Sequence, residues 1–195
     1  RSTRCRSRGS STPPRTSARS ARSSGSFARS ASTGHEGREA SGRVTFRCER
    51  IWAVGGTREA YCSDTTRTVF VGEVQPEFAA LHAVLRSAQA AACDAVRPGI
   101  SARDLDAVAR DIITEAGYGP AFIHRTGHGI GMETHEEPYI VASSEQPLAA
   151  GEAFSIEPGI YLEGVWGARI EDIVVCTEDG GRRLNRTSRD LRIVS

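Results

Sequence analysis

Lysine is missing from this chain: all 25 basic residues are Arg. Long apolar runs are missing too, and none approaches the roughly 20 residues that a membrane-spanning helix needs. No apolar stretch near the start resembles a secretory leader. Cysteine is sparse. The five cysteines are odd in number and widely spaced, with no CxxC pair. That argues against a zinc knuckle and a disulfide scaffold, and makes a reducing compartment, the cytoplasm, the expectation. No internal repeat is visible. The first 43 residues hold no Val, Ile, Leu or Met. Such a segment cannot bury enough apolar surface to offset the entropy of ordering it.

What is present is unevenly distributed. Residues 1–50 carry 12 Arg against 3 acidic residues, a balance of +9, while residues 51–195 carry 13 Arg against 21 acidic residues, a balance of −8. The Arg/Ser-rich segment has competing readings: a solvated disordered tail, a nucleic-acid arm, or an organellar transit peptide. Stacking readout is unsupported, since Phe27 and Phe46 are its only aromatics. A fourth reading rests on codon bias. Arg without Lys suits GC-rich coding, and an out-of-frame read of such DNA gives Arg, Ser, Pro, Gly and Ala. The expected division is therefore residues 1–52, low-complexity and either disordered or out of frame, and residues 53–195, one domain. About 145 residues suffice for a core that buries ~70% of the unfolded surface. The acidic balance of that domain makes nucleic acid an unfavoured partner.

Within the domain, Thr66–Gly72 reads as a strand with Asp64 at its entrance. A helix is expected over Pro76–Val96, with Pro76 in the first turn and Pro98-Gly99 after the end. A second is expected from Ala102 to Ala116, capped by Ser101 and ended by Gly117. His82 falls among apolar positions of the first helix and reads as structural. Short strands are expected at Tyr139–Ala142 and at Glu152–Glu157, the latter stopping at Pro158-Gly159. Ala168–Thr177 reads as one continuous strand, with Arg169 and Glu171 on one face and Ile170 on the other. Asp179-Gly180-Gly181 signals a hairpin turn into Arg182-Arg183-Leu184, and the last residues read as a polar tail.

The chemistry concentrates in Phe122–Pro138, FIHRTGHGIGMETHEEP, which holds His124, His128 and His135. Gly127 and Gly129 flank His128 and lack Cβ atoms, so a backbone, metal or substrate can come close to the ring. Asp64, Glu157 and Glu171 sit at or in expected strands. One imidazole with three carboxylates is a mostly oxygen ligand set, suited to Mn²⁺, Co²⁺, Fe²⁺ or Zn²⁺ rather than a thiolate-selected ion. Spacing alone leaves open whether residues up to 107 positions apart meet. Glu133, Glu136, Glu137 and Asp172 read as solvated.

The segments YCSDTTRT, HRTGHGIGMETHEEPYI, FSIEPGIY and ARIEDIVVCTEDG resemble the pita-bread metallopeptidase family, on its Xaa-Pro aminopeptidase and Xaa-Pro dipeptidase branch. The match covers about Val54–Leu184. It implies an α/β (α+β) fold: a curved antiparallel sheet, helices on its outer face and metals on the concave side. It also implies that the family's N-terminal domain and part of the first repeat are absent, leaving sheet edges that favour a homodimer.

For the site, the resemblance implies metal ligands Asp64, His128, Glu157 and Glu171, with Asp64 and Glu171 bridging two ions. Glu157 would also serve as general base, and His135 would assist the intermediate and leaving group. His124 would line the pocket, while Tyr161 and Arg169 would form a proton or orientation network. The implied activity is metal-dependent hydrolysis of Xaa-Pro bonds in peptides with proline at the second position, with Mn²⁺ the preferred ion. The chain departs from the family pattern at one point. The family carries a further ligand Asp eleven residues before the position of Asp64, and here that position is Ala53. One metal site is expected to persist, the second to be weakened or lost, and turnover to fall. The alternative is an inactive pita-bread module that binds peptides or proteins.

Overall fold

The computed structural model describes residues 27–31, 34–38 and 44–195, with side chains described from residue 49 onward. The expectations for residues 1–26, 32–33 and 39–43 lie outside the described residues. The described part opens with β1 (Phe27–Ala31), β2 (Gly34–Arg38) and the longer β3 (Val44–Arg58). β3 turns back into β4 (Tyr61–Val71), and the pair keeps an unbroken antiparallel register from Cys48↔Val71 to Arg58↔Tyr61. β3 thus crosses position 52 without interruption. Glu49, on its earlier half, is buried and accepts a hydrogen bond from Gly167 N at 2.9 Å.

The β3–β4 turn consists of Glu59 and Ala60, both at positive φ (52° and 70°). Two central residues in the left-handed region suit a tight hairpin, whose twist then matches the flanking strands. Neither residue is Gly or Asn, so the turn carries no sequence signal. For that reason the sequence places Asp64 at a strand entrance. It lies instead four residues into a hairpin arm, opposite Gly55.

Two helices follow. α1 (Pro76–Ala95) starts on Pro76, and α2 (Ala102–Glu115) is capped by the Ser101 hydroxyl, which accepts from Asp104 N at 3.0 Å. Gly117, at φ 86°, ends α2 as its sequence position implies. Their apolar stripes close the core: Phe78, Leu81 and Leu85 from α1 and Leu105, Ala109 and Ile113 from α2 are fully buried. Phe78 stands between Phe70 of β4, at 4.9 Å between ring centroids, and Trp166, at 5.9 Å.

The second half supplies β5 (Gly127–Gly129), β6 (Glu136–Ile140), β7 (Ala153–Ile156), β8 (Gly159–Leu162), β9 (Trp166–Arg169), β10 (Asp172–Thr177) and β11 (Gly180–Arg183). One sheet runs in the order β11-β10-β7-β5-β6, and β8 pairs with β9 in a separate hairpin. The expected single strand over Ala168–Thr177 is therefore two strands. The chain changes partner at Ile170 and Glu171: β9 pairs with β8, whereas β10 pairs with β7. Between them, Glu171 bridges to Thr66 of β4, donating its N–H to Thr66 O at 3.0 Å. Period-two patterning cannot show a change of partner that keeps the backbone extended. Likewise Pro158 is a short joint, because β8 begins at once on Gly159. The C-terminal segment is not simply a tail, since β12 (Arg192–Val194) pairs in parallel with β4.

Candidate metal centre

Four separate elements converge on one point. Asp64 comes from the β3–β4 hairpin, His128 from β5, Glu157 from the end of β7, and Glu171 from the joint between β9 and β10. One ligand atom each from Asp64, His128 and Glu171 lies within 4.8 Å of the others. His128 Nε2 and Glu157 Oε1 are 3.1 Å apart. The backbone can pack this closely around His128 because its neighbours are glycine. A Cβ on Gly127 would lie 1.8 Å from Ser155 O, and one on Gly129 would lie 2.2 Å from Glu137 O.

The remaining expected residues surround this group. Arg169 Nε donates to Tyr161 OH at 2.7 Å, and Arg169 Nη1 reaches Glu157 Oε2 at 3.5 Å. His135, exposed, stacks obliquely on His128 with ring centroids 4.2 Å apart. His124 lies against Tyr161 at 5.5 Å, and its Nε2 is buried without a hydrogen-bond partner among the described residues. His124, His135, Glu157 and Arg169 line a cavity of about 570 Å³, with Arg125, Tyr139 and Val141. That volume is in the range of small-ligand sites.

The electrostatics call for a cation. Burial, with Glu157 and Asp64 nearby, pushes the Glu171 carboxyl up to about 8. Burial also raises Asp64, with Glu157 adding to it and the Thr65 N–H opposing it. Glu157 goes the other way. Burial would raise it, but the His128 hydrogen bond and the charges of His128 and Arg169 outweigh burial and hold it below the usual carboxylate range. Burial likewise disfavours charge on His128, yet Glu157 and the Gly129 carbonyl hold its pKa above the ordinary value. His124 and His135 are both lowered, by burial first. Among the described residues no Arg is paired directly with Asp64 or Glu171. Clustered carboxylates that must otherwise take up a proton, beside an imidazole, fit a divalent ion.

Several supporting residues carry no recognised signal in the sequence. Thr66 donates its hydroxyl to Glu171 Oε2. Ser155 accepts from His128 N at 3.0 Å and donates to Glu157 Oε1 at 3.1 Å. Its position two residues before Glu157 on a strand is a usable signal, since alternate residues share a face. Asp172, expected to be solvated, is fully buried. It pairs with Arg67 at 2.6 Å and Arg183 at 3.5 Å and accepts from Gln89 at 3.1 Å. Adjacent residues of extended chain point to opposite sides, so Asp172 faces away from Glu171 and meets Gln89 of α1. Glu133 and Glu137 are exposed, as expected, and Glu136 is half-buried.

Comparison with known proteins identifies the family and the fold. The model of metallopeptidase family M24 matches residues 51–178. The probable dipeptidase PepE of Mycobacterium tuberculosis is 53% identical over 142 residues, which cover 72% of this chain and 38% of that protein. The Xaa-Pro dipeptidase of Lactobacillus delbrueckii subsp. lactis is 49% identical over 144 residues, 74% of this chain and 39% of that protein. The crystal structure of dipeptidase PepE from Mycobacterium ulcerans matches with a TM-score of 0.79 and 48% identity, over 88% of this chain and 48% of that one. The fold is the pita-bread arrangement that the sequence resembles. The chain spans about two fifths of the length of these curated relatives.

Proposed function

Because this chain belongs to metallopeptidase family M24, we propose that it carries the metal-binding part of an exopeptidase that hydrolyses Xaa-Pro bonds. The observation that supports this reading most is the meeting of Asp64, His128 and Glu171 within 4.8 Å, with Glu157 beside His128. These four side chains would hold the ion, and Mn²⁺ suits their oxygen-rich set. When bound, the cation supplies Lewis-acid activation of water and of the scissile carbonyl.

The chain's own residues account for the rest. Glu157, kept ionised by His128 and Arg169, accepts a proton from the attacking water. Arg169 ties Tyr161 OH to Glu157 and fixes the carboxylate's orientation. His124 and His135, both favoured neutral, stand on the cavity wall to hydrogen-bond the tetrahedral oxygen and the leaving nitrogen. A peptide with proline at its second position is the substrate. Cys62, Cys93 and Cys176 are free thiols, which supports a cytoplasmic setting, and exposed sheet edges support a homodimer.

Ala53 limits this chemistry. It pairs with Thr66 across the hairpin, so its Cβ is on the face that carries Asp64 and Thr66. A carboxylate there would point at the metal centre, and alanine offers none. We infer one retained ion, a weakened second site and impaired turnover. The same observation favours a second reading, a peptide-binding module without turnover. Incubation of the chain with Ala-Pro and Mn²⁺, followed by assay of free proline, separates the two. Slow release that Glu157→Gln abolishes is the expected result. No release at any Mn²⁺ concentration favours the binding module.

A further inference from the structure

Asp106 is a fully buried carboxylate on α2, away from the four candidate ligands. Nothing in the chemistry above uses it. Its Oδ1 accepts from Thr126 Oγ1 at 2.7 Å and from Thr126 N at 3.2 Å. Arg110, one turn along α2, donates Nε to Asp106 Oδ2 at 2.8 Å and Nη2 to Oδ1 at 3.0 Å. The same guanidinium donates to His124 O at 3.0 Å and Phe122 O at 3.1 Å, and it covers the Phe122 ring at 4.1 Å. The Thr126 carbonyl, in the next peptide group along, accepts from Glu157 N at 2.7 Å.

We infer that Asp106 and Arg110 are positioning residues: from α2 they fix Thr126, whose hydroxyl and N–H Asp106 holds and whose carbonyl holds the Glu157 main chain, and they fix the carbonyl of His124. Two cavity-lining side chains are thereby placed by a helix that never reaches the cavity. The physical case lies in the geometry. A bidentate carboxylate–guanidinium pair is stiff and directional. Asp106 is fully buried, although the Arg110 side chain is 30% exposed, so the carboxylate has little alternative to Arg110 and the Thr126 groups it binds, because an unpaired buried polar group is costly. α2 is itself anchored through Leu105, Ala109 and Ile113, so displacement at its surface is resisted by the packed core. Ser155 performs the matching task from the other side, between His128 N and Glu157 Oε1. The Glu157 carboxylate therefore meets His128 with both its main chain and its side chain held.

The inference deepens the proposed metal-site reading and rests on it for its consequence, not for its geometry. Its test uses the full chain with three substitutions. Thr126→Val keeps the side-chain shape and removes the hydroxyl donor. Arg110→Lys keeps the charge and removes the fork. Ile113→Val, in the α2 core, controls for general loss of stability. Hydrogen exchange of the Glu157 amide and the His124 ring resonances, both in metal-free protein, read the positioning directly. Mn²⁺ titration reads its effect, for which a fall of about tenfold or more is expected, as for other supporting hydrogen bonds around metal ligands.

The expected result is faster exchange at Glu157, shifted His124 resonances and weaker Mn²⁺ binding in Thr126→Val and Arg110→Lys, with none of these in Ile113→Val. Exchange and resonances that match the Ile113→Val control would overturn the inference, whatever the melting temperatures. If the unsubstituted chain binds no Mn²⁺, the metal reading fails, and the exchange and resonance data still decide the placement.

Discussion

Ala53 stands directly across the β3–β4 hairpin from Thr66, and Thr66 donates its hydroxyl to Glu171. The methyl group of Ala53 is thus on the side of the hairpin that serves the metal centre. Ala53→Asp adds a carboxylate to that side. We expect a second equivalent of Mn²⁺ to appear in a calorimetric titration, and Ala-Pro hydrolysis to rise at least tenfold. An unchanged stoichiometry would show that position 53 does not reach the site.

Metal binding should depend on pH in a defined direction. Burial, Glu157 and Asp64 hold Glu171 at about 8 in the metal-free protein, so at neutral pH it carries a proton that an ion must displace. Mn²⁺ affinity should therefore rise with pH up to about 8, with proton release. Titration in two buffers of different ionisation enthalpy measures that proton. Glu171→Gln, which has none to release, should bind more weakly and lose this part of the pH dependence.

Stability should have an acid limb that belongs to His82. This residue is 4% exposed on α1, and burial, with Arg86 adding to it, lowers its pKa to about 4. The unfolded chain takes up this proton near pH 6.5 and the folded chain only near 4, so stability is complete above 6.5 and falls as pH drops through that window. The loss is on the order of 3 kcal/mol by pH 4. His82→Leu should flatten that part of a urea-denaturation series, whatever its effect at pH 7.

The hairpin turn can be improved. Ala60 sits at φ 70° and is exposed, where a side chain costs ~1–2 kcal/mol relative to glycine. Ala60→Gly should raise stability by roughly 1 kcal/mol after the entropy lost to glycine is counted. Thermal melts at neutral pH check this, and a lowered melting temperature would mean that the turn does not adopt this conformation.

Much of this site is legible in the amino-acid sequence. The glycines beside His128 and the carboxylates Asp64, Glu157 and Glu171 stand out as candidates, though their grouping as ligands is implied only by the family resemblance; helix limits follow from Pro76, Ser101 and Gly117, where capping chemistry is local. What the sequence hides depends on distant partners. The Glu59-Ala60 turn lacks glycine and asparagine, so the β3 arm of the hairpin leaves no local mark. The break at Ile170 and Glu171 keeps the chain extended and changes only its neighbour. Asp172 and Asp106 look like ordinary surface acids in sequence. Asp172 meets Arg67 and Arg183, both distant in the chain; Asp106 has a local i,i+4 partner in Arg110, but its Thr126 contact comes from another element and leaves no local mark.

The central claim is that Asp64, His128, Glu157 and Glu171 together hold a divalent ion. Calorimetric titration of Mn²⁺ into the unsubstituted chain, beside His128→Ala, tests it most directly. We predict one equivalent bound by the unsubstituted chain and at least tenfold weaker binding in His128→Ala. Absence of binding, or binding that His128→Ala leaves unchanged, would contradict the account.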